Sequence, residues 1–130
     1  MNIQNQVVIL SASKKELSKE ENEQRSTRLL NMIKDVKITV NQATGFYKGA
    51  HETSLVCVVN NDTQVDTLKG FAFKQFDQES ILYQDANGLT TLVFKDGATD
   101  RLERLRRVDS VEGLNNYTEL NGAYYACVKE

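Results

Sequence analysis

The fold is decided by the stretch "VKITVNQATGFYKGAHETSLVCVVN", residues 36–60. Its first part, "VKITVNQAT" at 36–44, alternates in polarity, which is typical of a β-strand with one buried face. The run "SLVCVVN" at 54–60 is continuously apolar and rich in β-branched residues, which predicts a strand buried on both faces. The segment between them, residues 43–52, is predicted to be a loop that projects from the sheet edge.

Before these two strands, "QVVILSA" at 6–12 predicts a central strand that is buried on both faces. A helix is predicted to follow it, starting at a capping box formed by Ser13 with Glu16 or by Ser18 with Glu21. Apolar residues occur only in the last turns of this helix. Its charged first half is therefore predicted to be either an exposed helix or a mobile loop.

After residue 60, the segment 61–76 predicts a second helix, because its apolar residues recur at helical spacing. Asn61 or Asp62 is predicted to cap it. The runs "ESILYQD" at 79–85 and "LTTLVFK" at 89–95 predict two strands. An Asn-Gly pair between them is typical of a hairpin turn.

Residues 96–116 predict a long irregular or partly helical connection, and "GAYYACVK" at 122–129 predicts a last strand. Two successive strand-helix-strand units predict an α+β fold of the ferredoxin-like or PII-like type, an antiparallel sheet with two helices on one face and extra C-terminal strands. The length fits a single domain spanning residues 1–130. The second sheet face needs a cover, so an oligomer is predicted.

Composition excludes several classes of function. The net charge of −2 is too small for a nucleic-acid binder or an acidic DNA mimic. Acidic residues interleave with the basic cluster at 101–107, which predicts a solvated face. No apolar run approaches the length of a membrane span, and the N-terminus lacks the basic region of a secretion signal. Cys57 and Cys127 are predicted to be buried free thiols, and a single histidine leaves no zinc ligand set.

Side chains with binding chemistry are concentrated just before the buried strand at 54–60. Tyr47 supplies an aromatic face and a hydroxyl, and Glu52 supplies a carboxylate, a combination that suits a cationic ligand. Gly45 and Gly49 permit tight turns or the close approach of a ligand. The alternative is a polar hairpin tip with no ligand. His51 is predicted to point to the opposite side of the strand from Glu52 and to take no part.

Six segments follow one another in a recognisable order as far as Gly97. They are "VVILSAS", "NEQRSTRLLNMIK" with an Asn-x-x-Arg pattern, "TGFYKGA" with Gly-x-Tyr, "ETSLVCVV" led by Glu, "FDQESILY" with its Gln, and "LVFKDG". In this order they resemble the bacteriophage S-adenosylmethionine (SAM) lyases, formerly described as SAM hydrolases. The resemblance singles out the positions Asn22, Arg25, Tyr47, Glu52 and Gln78.

The resemblance implies a reaction without metal or cofactor. The carboxylate of SAM attacks its own γ-carbon, methylthioadenosine leaves, and homoserine lactone forms. Glu52 would bind the substrate ammonium, and Tyr47 would either contact the sulfonium or hydrogen-bond the substrate. Gln78 would bind the substrate tail or a partner's backbone, and backbone groups near Ser11 would take the adenine edge.

The resemblance further implies that Asn22 or Arg25 holds the ribose or the carboxylate. It implies a homo-oligomer, with a trimer as first choice and the site between subunits, acting in the cytoplasm of an infected bacterium to lower SAM and defeat restriction. Two alternatives remain open. One is a non-catalytic PII-like module that binds adenine ligands or SAM, and the other is an anti-restriction protein that contacts a host enzyme directly.

Overall fold

The computed structural model describes residues 6–129, and the prediction for the extreme N-terminus falls outside this range. Within residues 6–129 the chain forms nine strands and two α-helices, the second of which continues into a π-helical turn at Phe71–Gln75. The elements are β1 (Gln6–Leu10), α1 (Lys19–Asp35), β2 (Thr39–Tyr47), β3 (Ala50–Val59), α2 (Asp62–Gly70), β4 (Ser80–Gln84), β5 (Thr90–Phe94), β6 (Thr99–Leu102), β7 (Leu105–Val108), β8 (Asn116–Leu120) and β9 (Ala123–Cys127).

The strands form one sheet in the order β6-β5-β4-β1-β3-β2-β8-β9-β7. Every pairing in it is antiparallel. The predicted α+β class, the antiparallel sheet and the two helices are therefore confirmed. Strand β1 lies between β3 and β4, as its continuous apolar run predicts, and Val7 and Val8 are both fully buried. Both helices bury apolar residues in one cluster against the same sheet face.

Helix starts follow the capping chemistry of the sequence. Ser18 caps α1 and forms the capping box with Glu21, so the second of the two predicted starts is correct. The charged first half of α1 is a helix, and the segment before it, residues 11–18, is a loop. Asn61 caps α2 by accepting a hydrogen bond from the amide of Gln64.

The predicted loop at 43–52 is wrong, because these residues extend both strands of a hairpin. Strands β2 and β3 pair along their full length from Thr39 to Tyr47. Only Lys48 and Gly49 form the turn, and both have positive φ angles of 49° and 85°. Two such residues suit the two-residue turn that matches strand twist. Tyr47 and Glu52 therefore sit on rigid strands.

The predicted irregular connection at 96–116 is also wrong, since it contains β6, β7 and the first residue of β8. Leu102, Leu105 and Val108 are spaced three apart, which imitates one side of a helix. The chain instead passes through residues 103–104 from β6, which pairs with β5, to β7, which pairs with β9 at the other end of the sheet order. Each of these two strands has four residues, too few for a clear alternation.

The C-terminal strands curl over the sheet face opposite the helices. Leu105, Leu120 and Tyr125 from these strands form a second buried cluster with Val7 and Val56 from the centre of the sheet, among others. The chain thus covers its own second face, and a partner subunit is not needed to bury these residues.

A buried polar contact joins β4 to β7, one of the strands that cover the second sheet face. The Gln84 side-chain oxygen on β4 accepts hydrogen bonds from the Thr90 hydroxyl at 2.9 Å and from the Leu105 amide at 3.1 Å. Gln84 is 0% exposed and Thr90 is 1% exposed. Because a buried amide without a partner is costly, this contact fixes where β7 begins relative to β4.

Other sequence predictions concern the surface and the thiols. Within residues 6–129, no helix is both long and apolar enough to cross a membrane. Cys57 is buried, Cys127 is half-buried and both are free. Burial raises the pKa of Cys57 to about 12 and that of Cys127 to about 11, which leaves both thiols protonated at neutral pH. In the cluster at 101–107, Arg101 and Arg107 are exposed but Arg104 and Arg106 are half-buried, so the predicted solvated face is confirmed only in part.

Candidate functional site

The curl of the sheet creates one large cleft of about 800 Å³, a volume within the usual range for small-molecule sites. It lies between the ends of the central strands and the C-terminal strands. Much of its wall is apolar, with contributions from β1, β4, β5, β6 and β7. These apolar residues include Ile9, Leu82, Leu92, Phe94, Leu102 and Leu105.

Glu52 places a carboxylate in this cleft. It lies opposite Gly45 in the β2–β3 register, on the face that also carries Ser54 and Val56, and its carboxylate has no hydrogen bond or ion pair with the residues described. Burial raises the pKa of the Glu52 carboxyl above its ordinary value, because desolvation disfavours the charged form. A half-buried carboxylate without a partner suits a cationic ligand.

Tyr47 lies two residues along from Gly45, near the turn, and its side chain is 51% exposed. It lines the cleft, and the Lys48 ammonium lies 5.3 Å from the centre of its ring. The ring therefore already accepts one cation at a distance typical of cation–π contacts. Tyr47 and Glu52, predicted as a pair, are brought to the same cleft.

Ser11 and Gln78 also line the cleft. The Ser11 hydroxyl donates a hydrogen bond to the Thr53 carbonyl at 3.0 Å and accepts one from the Ser13 amide at 3.0 Å. The Gln78 side-chain amide donates to the Ser13 carbonyl at 3.1 Å. Both side chains thus hold the loop after β1 in place, and Gln78 lies in the segment before β4.

Asn22 and Arg25 are not among the residues lining the cleft. Asn22 exchanges two hydrogen bonds with the backbone of Lys14, each 2.9 Å long. Arg25 donates to the carbonyls of Ala12 at 2.7 Å and Phe76 at 2.6 Å. Both side chains therefore connect helix α1 to the loops that line the cleft. Sequence spacing alone does not reveal these long-range contacts.

An ion-pair group at the rim of the cleft was not predicted from the sequence. Asp77, at a positive φ of 51°, pairs with Lys14 at 3.0 Å and with Lys95. Hydrogen bonds from Lys95 and Lys14 lower the pKa of Asp77 to about 2. The group links the loop after β1, the segment before β4 and the end of β5.

His51 lies outside the cleft, as predicted. Its ring contacts Phe46 at a centroid distance of 4.8 Å, and Phe46 stacks on Tyr117 at 4.8 Å. Among the described residues, no group of three or more His, Cys, Asp and Glu side chains is placed to hold a metal ion.

Comparison with known sequences finds a family match that covers almost the whole chain. The sequence model of the S-Adenosylmethionine lyase family matches residues 8–128, including the C-terminal strands that lie beyond the recognisable motifs. No curated protein matches the chain. The family match agrees with the order of motifs and with the carboxylate-bearing cleft. The chain therefore belongs to the S-adenosylmethionine lyase family, as an enzyme that cleaves SAM.

Proposed function

We propose that the enzyme cleaves SAM by intramolecular attack within the cleft that carries Glu52. An oxygen of the substrate carboxylate bonds to the γ-carbon, and the carbon–sulfur bond breaks with its electron pair staying on sulfur. Methylthioadenosine and homoserine lactone are the products, and no proton, water, metal or cofactor enters the balance. The observation that carries the proposal is the unpartnered Glu52 carboxylate in a cleft with an extensive apolar wall and charged residues at its rim.

Glu52 binds the substrate α-ammonium in this proposal and keeps the methionine tail bent. A desolvated carboxylate binds a cation more strongly than an exposed one, because less water competes for it. The bent conformer of SAM, in which its carboxylate contacts its γ-carbon, is rare in the free molecule. Binding SAM in this conformer lowers the activation barrier by an amount on the order of several kcal/mol. Glu52 acts here by binding, with no role as a base.

The apolar walls favour the chemical step. A carboxylate and a sulfonium lose their charges as the new bond forms, so the transition state is less polar than the bound substrate. Water stabilises the separated charges of the substrate more than a wall of Leu82, Leu92 and Phe94 does. The wall thus lowers the barrier for a charge-neutralising reaction.

The remaining roles follow the positions of the side chains. Tyr47 presents its ring to the sulfonium, since an aromatic face that lines the cleft attracts a cation. The segment that Gln78 and Ser11 hold together provides backbone groups for the adenine edge, just beyond the end of β1. Asn22 and Arg25 on α1 stabilise the loop after β1 through their hydrogen bonds to the backbone of Lys14 and Ala12.

We also propose that the ferredoxin-like centre assembles into a homo-oligomer, with a trimer as first choice. The central strands run in the order β4-β1-β3-β2 and alternate with two helices along the chain, which supports this kind of centre. Tyr47 is half-exposed at the open side of the cleft, where a neighbouring subunit could cover it. Sedimentation equilibrium tests the proposal, and a single monomeric species that is fully active contradicts it.

In its biological setting, the enzyme is proposed to act in the cytoplasm of a phage-infected bacterium, where it lowers SAM and so weakens SAM-dependent restriction. Expression in bacteria tests this role. Protection of incoming DNA should appear only as SAM falls, whereas protection at unchanged SAM would indicate direct contact with a host enzyme.

The activity itself is tested by incubating the purified protein with SAM and separating the products by chromatography. Methylthioadenosine and homoserine lactone should appear in equal amounts. SAM that stays intact through a long incubation would mean a binding module and would contradict the proposal.

A further inference from the structure

Ser54 is a buried polar residue of the cleft with no partner of its own. It is 5% exposed and lines the cleft, and its hydroxyl makes no hydrogen bond with any described residue. It lies two residues after Glu52 on β3, so both side chains point to the same sheet face. The Ser54 oxygen is not among the fully buried side-chain atoms that lack a partner, so it remains accessible from the cleft and can hydrogen-bond a ligand there.

Gly45 keeps the space around this hydroxyl open. A Cβ atom at Gly45 would lie 2.4 Å from the Ser54 Oγ, so close that the hydroxyl would have to move from its position. The same Cβ would lie 3.5 Å from the Ser54 Cβ and 3.6 Å from the Glu52 Cγ, both ordinary contacts. The absent side chain at Gly45 thus makes room for the Ser54 hydroxyl in particular.

Other serines of the chain provide the contrast. The Ser11 hydroxyl at the cleft is engaged with the backbone of Thr53 and Ser13. The Ser26 hydroxyl on α1 also has no partner, but Ser26 is not among the residues lining the cleft. Ser13 and Ser80 also line the cleft with hydroxyls that make no hydrogen bond to a described residue, but both are only half-buried, whereas Ser54 is 5% exposed.

We propose that Ser54 is a substrate-binding residue whose hydroxyl accepts a hydrogen bond from the α-ammonium of SAM. An ammonium has three N–H donors and no acceptor, so the Glu52 carboxylate and the Ser54 oxygen satisfy two of them from one strand face. Gly45 is a positioning residue that keeps this oxygen in place. The inference rests on the proposed role of Glu52.

The test compares Ser54→Ala with wild type on two substrates. A hydrogen bond to a charged group predicts a loss of about 10- to 150-fold in kcat/KM for SAM. Most of the loss should appear as a higher KM, because the ammonium contact exists before and during the reaction. With a SAM analogue that carries hydrogen in place of the α-amino group, wild type and Ser54→Ala should have equal kcat/KM. Ser26→Ala, a buried serine remote from the cleft, is the matched control and should leave both substrates unaffected.

Two further variants test the role of Gly45. Gly45→Ala should lower kcat/KM at least as much as Ser54→Ala, and the double variant Gly45→Ala with Ser54→Ala should lose no more than Ser54→Ala alone. Gly70→Ala is the control, because nothing lies within 4 Å of a Cβ there.

The outcomes separate this inference from the proposed function. If wild type forms methylthioadenosine and Ser54→Ala keeps a wild-type KM and kcat, the inference is overturned while the proposed function stands. A loss in Ser54→Ala that is equally large with the analogue also overturns it, since the hydroxyl would not then contact the ammonium. If wild type leaves SAM intact, the proposed function itself fails.

Discussion

The substitution Glu52→Gln should separate activity from stability, because the two depend on the charge of Glu52 in opposite directions. In the complex, the substitution replaces a charged partner of the substrate ammonium by a neutral amide. Removing one partner of a buried charge pair costs about 2–5 kcal/mol. This corresponds to a loss of about 30- to 5,000-fold in kcat/KM. The control is Glu79→Gln, which makes the same charge change at an exposed residue on the rim of the cleft and should keep wild-type rates.

Without substrate, the same substitution should stabilise the protein. Since burial raises the pKa of Glu52, the folded protein holds the proton more tightly than the unfolded chain. The stability that the folded protein gains by holding this proton is fully present below 4.5, the ordinary pKa of the carboxyl. It is lost as pH rises through the higher pKa that Glu52 has in the folded protein. The amide side chain introduced by Glu52→Gln carries no charge at any pH, so the variant should melt at a higher temperature than wild type at pH 7.

The assays are product chromatography with SAM and thermal unfolding at pH 7 and at pH 4. The stability difference between Glu52→Gln and wild type should shrink at pH 4, where Glu52 takes up its proton in both states. Wild-type turnover in the variant would refute the binding role of Glu52. An unchanged or lower melting temperature at pH 7, measured without substrate, would refute the argument from desolvation.

Three other substitutions address the scaffold. Gln84→Met leaves the buried Leu105 amide without its partner and should lower the free energy of unfolding by about 1–3 kcal/mol in urea titrations, whereas the exposed Gln75→Met should not. Arg25→Met removes the hydrogen bonds to the Ala12 and Phe76 carbonyls, so it should lower the free energy of unfolding by about 1–3 kcal/mol and raise KM. Unchanged stability together with a reduced kcat/KM would instead indicate that Arg25 contacts the substrate directly. Asp77→Asn should lower the melting temperature slightly above pH 3.8, and the difference should vanish as pH falls through about 2, the lowered pKa of Asp77.

The sequence predicted the centre of the fold because its signals there are local and long enough. The apolar runs within 6–12 and 54–60 coincide with β1 and with the second half of β3. Ser18 and Glu21 form a capping box within one turn of helix, so the start of α1 depends on neighbours in sequence. Glu52 and Tyr47 were identified from the chemistry of their side chains and from the resemblance, and they share one cleft.

What the sequence did not predict depends on contacts between distant segments. The glycines at 45 and 49 suggested a loop, yet pairing with β3 and β8 keeps Gly45 in a strand. The cluster at 101–107 has too few residues per strand to show alternation. The contact of Gln84 with Leu105 joins residues 21 positions apart, and no local pattern marks it.

Ser54 carried a local signal, because it follows Glu52 at the two-residue period of a strand. That signal became usable only once both residues were known to lie on β3. Asn22 and Arg25 show the opposite case. Their spacing fits the family pattern, while their side chains are engaged with backbone carbonyl and amide groups of the loops around the cleft.

The central claim, that the substrate carboxylate itself attacks the γ-carbon, is tested most directly by running the reaction in water labelled with oxygen-18. Intramolecular attack predicts unlabelled homoserine lactone, and homoserine from its later hydrolysis should carry the label only in its carboxyl group. Label in the γ-hydroxyl of homoserine would show that water attacked the γ-carbon and would contradict the account.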